Sequence, residues 1–364
     1  MFKTALAALA IAFATCSPLV AQDEKPKFTI ESEIPRLDVI SQDSTGTCWS
    51  YATTSFLEAE LERIHKKKID LSEMFVVHNA YLEKCRRYMR LQGKAQFSEG
   101  GLSHDVVAMV KLAGIVPADA YTGLTDGDQK HDHGELADVL ETLLKRFNEP
   151  KKVPGPKFEK LVRSVLDTYL GAVPTTITVD GKTMTPKQYA DDVLKVPYDD
   201  YVEIMSYGYT PFWENGELLV PDNWMRYSGY KNIPVDAMLD CLDHAVRSGY
   251  SVAVDMDVSE RGFQMAKGTA KLPEKLEKPG AITQEVRDRM FDARETQDDH
   301  LMHVVGIAKD ADGGIFYKTK NSWGKTGAHE GYLYMSRNYV AAKMLGMMVH
   351  KDGLPQAVKE KVKF

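Results

Sequence analysis

The chain has 364 residues, of which 43% are hydrophobic and 27% are charged. These proportions are ordinary for a soluble globular protein, and they exclude collagen-like, low-complexity and disulfide-dense proteins. The formal net charge of −6 gives no reason to expect a nucleic acid or an anionic membrane as partner. At about 150 residues per domain, the length favours about two domains.

Residues 1–21 have the layout of a secretory signal peptide. Lys3 supplies a positive charge, an apolar run over 5–14 follows it, and small residues lead to a predicted cleavage after Ala21. The apolar run is much shorter than the ~20 residues of a membrane-spanning helix, and no other run in the sequence is long enough. We therefore expect an exported protein, periplasmic or extracellular, without a membrane span. A buried N-terminal helix and lipidation at Cys16 are the alternatives.

The first half of the mature chain is predicted to be helical. Apolar residues recur at helical spacing, and capping and breaker residues separate the segments. The predicted helices run from Cys48 to about Ile64, after the N-cap Ser72, from Ser103 to Leu112 before Gly114, and over 134–147 and 157–170.

The last third of the chain is predicted to form strands, at 251–254, 303–308, 315–320, 332–336 and 347–350. The turn residues of 310–314 make the second and third of these a hairpin. Helices early and antiparallel strands late predict an α+β protein in which a helical lobe and a sheet lobe enclose a cleft. The expected organisation is a helical lobe over 22–118, a helical insertion over 119–230 and a sheet lobe over 231–364.

Cys48 is the candidate nucleophile. A loop that contains Gly46 delivers it to the first turn of a helix, where backbone N–H groups and the helix dipole favour the thiolate. The amide of Gln42, six residues earlier, is placed to fold back toward it. Together with the backbone N–H of Cys48, this amide would form an oxyanion hole with two donors.

A cysteine nucleophile needs a base, and His303 is the preferred candidate. It opens a predicted strand, and the hairpin places that strand beside the one that ends at Asn321, whose side-chain oxygen would accept a hydrogen bond from the imidazole. Trp323 would shield this hydrogen bond from water. His300 is the competing candidate, placed second because it is expected in the loop before the strand.

These residues resemble the motifs of papain-like cysteine peptidases, and within them those of the bleomycin hydrolase/aminopeptidase C branch. The resemblance extends over nearly the whole mature chain. It rests on 42–49, Leu71-Ser72-Glu73, 97–101, 114–117, 220–224, His303, 321–324 and Gly331-Tyr332-Leu333.

The resemblance implies peptide hydrolysis through a thioester acyl-enzyme, with peptides as substrates and without a metal or an organic cofactor. It implies roles for the following residues: Cys48 as nucleophile, His303 as general base and acid, Asn321 as the residue that orients the imidazole, Gln42 in the oxyanion hole, and Gly100, Gly101 and Trp323 at the substrate.

The same resemblance implies a hexameric barrel whose C-terminal tail lies in the cleft and restricts cleavage to amino-terminal residues. Here the tail after Pro355 is short and the segment before Val220 is modified. An endopeptidase or oligopeptidase therefore stays open beside an aminopeptidase. A non-catalytic papain-fold binding protein and a thiol acyltransferase or amide hydrolase are further alternatives. Cys85 and Cys241 either form a bridge or are buried and reduced.

Overall fold

The computed structural model of the protein describes residues 27–149 and 155–362. The predicted signal peptide and Cys16 lie outside these residues. The described helices are α1 Cys48–His65, α2 Glu73–Arg90, α3 Ser103–Ala113, α4 Gly134–Phe147, α5 Pro156–Leu170, α6 Pro186–Gln188, α7 Val235–Arg247, α8 Gln284–Asp292, α9 Arg337–Lys343 and α10 Gln356–Lys359. The strands are β1 Thr29–Glu33, β2 Ile177–Val179, β3 Lys182–Met184, β4 Tyr201–Met205, β5 Glu214–Gly216, β6 Tyr230–Asn232, β7 Val252–Met256, β8 Phe263–Gln264, β9 Thr269–Ala270, β10 His300–Lys309, β11 Ile315–Lys320, β12 Tyr332–Ser336 and β13 Met344–His350.

Most of the described strands join one mixed sheet in the order β5-β6-β4-β13-β7-β10-β11-β12-β9-β8, with β1 paired to β10. Only β2 and β3 form a separate hairpin within the part of the chain that the structure describes. Strands β4 and β5 come from the segment 119–230, and β6 begins at its last residue, so this segment contributes to the sheet as well as to the helices. The α+β prediction is confirmed.

The sheet is buried on both faces, and the pleat of its strands separates two cores. Ala253, Leu301 and Met348 lie in the core shared with α1 and the other helices of the first half. Val254 and Met302, each the next residue along its strand, lie in the core shared with α7. This alternation with a period of two residues is the expected result when a strand is covered on both faces.

Helix α1 lies between the helical lobe and the sheet. Every residue from Cys48 to Leu61 is buried, because one side of the helix packs on α2 and α3 while the other packs on β10. Helix α2 begins at its predicted cap, where Ser72 Oγ accepts a hydrogen bond from the N–H of Phe75 at 3.0 Å. Cys48, the candidate nucleophile, therefore stands at the start of a helix that packing fixes along its length.

The described end of the chain packs on the sheet lobe. Leu354, Val358 and Val362 are buried in the core that contains α7. Cys85 and Cys241 are free and buried in different cores, so the predicted alternative of reduced thiols is the one that the structure shows. None of the helices within 27–149 and 155–362 has the length and apolar character needed to span a bilayer.

Candidate active site

Cys48 is the first residue of α1, and its side chain is 8% exposed. The loop before it is tied to the segment 97–101. Glu99 accepts a hydrogen bond from the N–H of Gly46 at 2.6 Å through its carboxylate, and from Trp49 Nε1 at 2.9 Å through its carbonyl. These contacts on both sides of Cys48 hold this residue in place.

The start of β10 lies beside the thiol. The backbone N–H of Leu301 donates to Cys48 Sγ and lowers the pKa of the thiol, although burial raises this pKa more strongly. Further along, Ser55 Oγ lies 3.0 Å from His303 Nδ1. Cys48 near the start of α1 contacts Leu301, and Ser55 two turns later contacts His303, so α1 and β10 run side by side in the same direction. The histidine level with Cys48 is therefore His300.

His300, and not His303, pairs with Asn321. Its Nε2 lies 2.7 Å from Asn321 Oδ1, and both side chains are buried. The predicted pairing of Asn321 with His303 is wrong. His303 faces α1 instead, on the same side of the sheet as Lys320, whose Nζ donates to Ser55 Oγ at 2.9 Å.

A β-bulge explains the difference. From Lys309 to Gly306, β10 pairs with β11 in a register that would place His303 opposite Asn321. The register shifts between Val304 and Gly306, and His303 pairs with Lys320 instead. Because side chains alternate between the faces of a sheet, a shift of one residue moves His303 to the face opposite Asn321.

The hydrogen bonds of Asn321 define the tautomer of His300. Asn321 Oδ1 accepts from the N–H of Ser322 at 2.8 Å as well as from His300, which identifies this atom as the amide oxygen. An acceptor at Nε2 requires that His300 carry its proton there. Nδ1 is then the basic nitrogen available to Cys48.

Trp323 covers an imidazole, as predicted, but this imidazole belongs to His300 and not to His303. Its ring is tilted over that of His300, with the ring centroids 4.7 Å apart. The indole is 37% exposed, so its outer side faces solvent while its inner side covers the imidazole. Trp323 therefore shields the hydrogen bond between His300 and Asn321.

Gln42 is held across the cleft by the segment that carries Asn321. Its Oε1 accepts from Ser322 Oγ at 2.6 Å, and its backbone N–H donates to the Ser322 carbonyl at 2.8 Å. One Nε2 hydrogen is used on the carbonyl of Thr45, at 2.6 Å. The amide has a second Nε2 hydrogen, and the start of α1 supplies further backbone donors.

Gly100 and Gly101 lie on the helical side of the cleft and are closely covered. A Cβ on Gly100 would lie 1.8 Å from Asp222 Oδ2, and a Cβ on Gly101 would lie 3.0 Å from the Trp49 ring. Lys84, which is buried beneath this segment, donates to the carbonyls of Ser98 and Gly100. The Asp222 carboxyl thus contacts the backbone at Gly100.

Burial disfavours the charged forms of both the Cys48 thiol and the His300 imidazole. Burial raises the pKa of the Cys48 thiol to about 12. Burial lowers the pKa of His300 to about 4, although the hydrogen bond to Asn321 acts in the opposite direction. Desolvation by burial therefore opposes the thiolate that the start of α1 is expected to favour.

The chain is similar to known proteins in both structure and sequence. The crystal structure of PepW from Lactobacillus rhamnosis HN001 superimposes with a TM-score of 0.73 and 18% identity, over 92% of this chain and 84% of that one. Aminopeptidase G of Lactobacillus delbrueckii subsp. lactis is 23% identical over 90% of this chain and 84% of its own length. Aminopeptidase E of Lactobacillus helveticus is 23% identical over 91% of this chain and 86% of its own. The fold and the site together define a papain-like cysteine peptidase.

The family follows from a second comparison. The model of the Peptidase C1-like family matches residues 178–364, about half of the chain, and this segment contains His300 and Asn321. The chain belongs to the Peptidase C1-like family.

The structure brings together Cys48, Gln42, Asn321 and Trp323, as the sequence analysis expected, but it does so with His300, which that analysis placed second. The signal that indicates the shift is Gly306, because an isolated glycine inside a strand pattern suggests a bulge. The sequence analysis also missed the acids beside the thiol, Asp222, Asp255 and Asp298. They are distant from one another in the sequence, and although Asp222 stands in the motif 220–224, nothing in that motif indicates a position beside Cys48.

Proposed function

We propose that the protein is a cysteine aminopeptidase in which Cys48 is the nucleophile and His300 is the general base and acid. The observation that carries the chemistry is the pair of His300 and Asn321 at the start of β10, beside the thiol at the start of α1. The names of the similar proteins support the restriction to amino-terminal residues, since Aminopeptidases G and E match along most of their length.

Acylation begins with transfer of the thiol proton to Nδ1 of His300 as Sγ attacks the carbonyl carbon of the scissile bond. The resulting imidazolium is stabilised by Asn321 Oδ1, which already accepts from Nε2. His300 then protonates the nitrogen of the leaving amine as the carbon–nitrogen bond breaks. The amino-terminal residue stays attached to Cys48 as a thioester.

The tetrahedral intermediate needs donors for its oxyanion. The free Nε2 hydrogen of Gln42 and the backbone N–H of Cys48 are the proposed donors. Ser322 and Thr45 hold the Gln42 amide at both of its ends, so the donor is already oriented before substrate binds. Donors fixed in advance are the effective ones, because they need no reorganisation during the reaction.

Hydrolysis of the thioester repeats these steps with water. Nδ1 of His300 takes a proton from the water as its oxygen attacks the thioester carbonyl. The carbon–sulfur bond then breaks, and the proton passes to Sγ, which regenerates the thiol. Trp323 covers His300 from solvent throughout.

Export and assembly are further parts of the proposal. The charged and apolar layout of residues 1–21 supports export to the periplasm or the cell exterior, and mass spectrometry of the secreted N-terminus tests it. Lipidation at Cys16 would add the mass of acyl chains to that N-terminus. A homo-hexamer is the assembly that the family resemblance implies, and light scattering of the purified mature chain tests it.

The experiment that tests the activity compares two fluorogenic amides of the same residue, one with a free α-amino group and one with an acetylated amino group. We expect the mature chain to cleave the free-amino substrate and the Cys48→Ala variant to cleave neither. Cleavage of acetylated peptides as well would establish the endopeptidase alternative. Absence of cleavage of either substrate by the reduced protein would favour a binding protein.

A further inference from the structure

Three aspartates that no step of the proposed mechanism uses lie beside the nucleophile. They are Asp222 in the segment before β6, Asp255 in β7 and Asp298 just before β10, and the charge of each raises the pKa of the Cys48 thiol. We call them the cleft acids. They come from three different segments, so only the fold brings them together.

Asp255 is placed by the register of the sheet. It pairs with Leu301, whose N–H contacts Cys48 Sγ, and residues that are opposite each other in neighbouring strands share a face. Asp255 is 4% exposed, and neither of its carboxyl oxygens accepts a hydrogen bond from an N–H group or a hydroxyl of the described residues. The group that it faces is the carboxyl of Asp298.

Asp298 and Asp222 lie closer to solvent. The pKa of Asp298 is raised to about 7, first by burial and then by the charge of Asp222, while the backbone N–H of Asp222 acts in the opposite direction. Asp222 Oδ2 lies on Gly100, and Asp222 Oδ1 accepts from Ser98 Oγ at 3.3 Å and from Gln96 Nε2 at 3.4 Å. The cleft acids therefore extend from the cleft surface to the buried Asp255.

The positively charged groups around the cleft acids are too few to balance the negative charge of the three carboxylates. Lys84, from α2, faces Asp222, but its ammonium already donates to the carbonyls of Ser98 and Gly100. Glu203, from β4, faces Asp255 and is bound by His104 Nδ1 at 2.9 Å. In addition, Asp299 faces Asp298 and adds a further negative charge.

This arrangement is energetically costly. Burying a carboxyl group without a donor is unfavourable, and like charges close together add to the cost. A cation with several N–H donors would relieve both. An ammonium group has this chemistry, because it carries one positive charge and three N–H donors.

The position of the cleft acids beside the thiol fits the α-amino group of a peptide. In the first residue of a peptide, the amino nitrogen is only about 2.5 Å from the carbonyl carbon, since one Cα separates them. A group that binds this nitrogen must therefore stand next to the nucleophile. The cleft acids meet this condition, whereas the described tail through Val362 is packed in the core with α7.

We propose that Asp222, Asp255 and Asp298 bind the free α-ammonium group of the substrate and so restrict the enzyme to the first peptide bond. This inference rests on the proposed aminopeptidase function and names the residues that produce its specificity. The ammonium would donate to the carboxyl oxygens of Asp255 and Asp298, with Asp222 closing the cleft above Gly100.

The test uses Asp255→Asn, Asp298→Asn and Asp222→Asn in the mature chain, because asparagine keeps the shape and removes the charge. The substrates are an aminoacyl fluorogenic amide and its desamino analogue, in which hydrogen replaces the amino group. We expect the wild-type enzyme to prefer the aminoacyl substrate by at least about 100-fold in kcat/KM. Each variant should reduce this preference by about tenfold or more, mainly through a higher KM, because charged hydrogen bonds are lost.

Two controls separate a binding role from a structural one. Asp292→Asn, on the exposed end of α8, removes a carboxylate elsewhere and should leave the preference unchanged. The melting temperature of Asp255→Asn should stay equal to that of the wild type or rise, because the variant removes a buried like-charge contact. A structural role would instead lower the melting temperature and would reduce cleavage of both substrates equally.

The outcomes also distinguish this inference from the proposed function. If the wild-type enzyme cleaves neither substrate, the proposed function fails. If the wild-type enzyme prefers the aminoacyl substrate and all three variants keep this preference, the function stands and the cleft acids do not supply the specificity. If the wild-type enzyme shows no preference for the amino group, both are overturned.

Discussion

Ser55 Oγ lies 3.0 Å from His303 Nδ1, two turns along α1 from Cys48. The hydroxyl accepts from Lys320 Nζ at 2.9 Å, so its own hydrogen is directed to His303. This buried chain of three residues joins α1 to β10 and β11 and sets the two elements in register. His303 thus aligns the strand that carries His300 against the helix that carries Cys48.

The two histidines are therefore expected to respond differently to the same substitution. His300→Asn should lower kcat/KM by about 1,000-fold, because it removes the general base and acid. His303→Asn should keep activity within about tenfold and should lower the free energy of unfolding by about 1–3 kcal/mol, because a buried hydrogen bond is lost. Steady-state kinetics and urea unfolding of both variants measure these effects.

Cys48→Ala serves as the inactive control in this comparison. The assignment of His300 would be wrong if His303→Asn lost activity as completely as Cys48→Ala while its unfolding curve stayed close to that of the wild type. Retention of activity by His300→Asn would contradict it as well.

The bulge at Val305 marks the limit of what the sequence could predict. The hairpin and its turn were correctly predicted, but β10 begins at His300 and not at the predicted residue 303, so His300 lies in the strand and not in the loop before it. A regular register from that turn does place His303 opposite Asn321. A single extra residue in β10 moves His303 to the face of the sheet opposite Asn321, because the side chains of a strand alternate with a period of two residues. Gly306 was the available hint, but a glycine does not reveal which residue is extra.

The cleft acids were beyond sequence reasoning for a different reason. Cys48, Gln42 and Asn321 stand in short motifs whose local structure is readable, whereas Asp222, Asp255 and Asp298 become neighbours only through strand order and loop packing. The order of β13, β7 and β10 in the sheet does not follow the order in the sequence. Helices α1, α3, α4 and α5 were predicted nearly to their ends, and α2 at its start, because their apolar spacing is a local property.

Asn321 should matter for turnover more than for substrate binding. Asn321→Ala removes the acceptor of His300 Nε2, so the imidazole loses its orientation and its fixed tautomer. We expect kcat to fall by about 10- to 100-fold with little change in KM. Kinetics with the free-amino substrate measure this split, and Asn338→Ala, at a position remote in the sequence, is the matched control. An equal rise in KM would mean that Asn321 contacts the substrate instead.

The buried imidazole of His300 should lower the free energy of unfolding of the protein in acid. The pKa of His300 is about 4 in the folded protein against an ordinary value of 6.5. Between these values the unfolded chain binds more protons, so the stability that neutral His300 allows is present above pH ~6.5 and is lost as the pH falls toward 4. The full shift corresponds to about 3 kcal/mol.

Other groups titrate in the same range, so the comparison has to be made between variants. Burial raises the pKa of Glu73 to about 8, and such an acid favours the folded state more as the pH falls. Urea unfolding of the wild type and of His300→Asn at several pH values between 7 and 4 gives the difference. We expect the wild type to lose stability relative to His300→Asn on acidification, and parallel curves would contradict the lowered pKa.

The adjacent glycines of the cleft should give opposite results when each is replaced by alanine. A Cβ at position 100 would lie 1.8 Å from Asp222 Oδ2, the end of a half-buried side chain that is able to move away. A Cβ at position 101 would lie 3.0 Å from the ring of Trp49 and 2.7 Å from Asp105 Oδ2, which are buried and fixed.

Gly100→Ala should therefore keep the melting temperature and lower kcat/KM for the free-amino substrate by about tenfold, since it displaces one cleft acid. Gly101→Ala should lower the free energy of unfolding by about 1–3 kcal/mol, because overpacking moves the residue next to Cys48. It should also lower cleavage of the aminoacyl substrate and of the desamino substrate together. Thermal unfolding and kinetics with both substrates measure the contrast. Equal losses on the two substrates in Gly100→Ala would indicate that this glycine binds the peptide backbone, the role that the family resemblance implies, rather than supporting the position of Asp222.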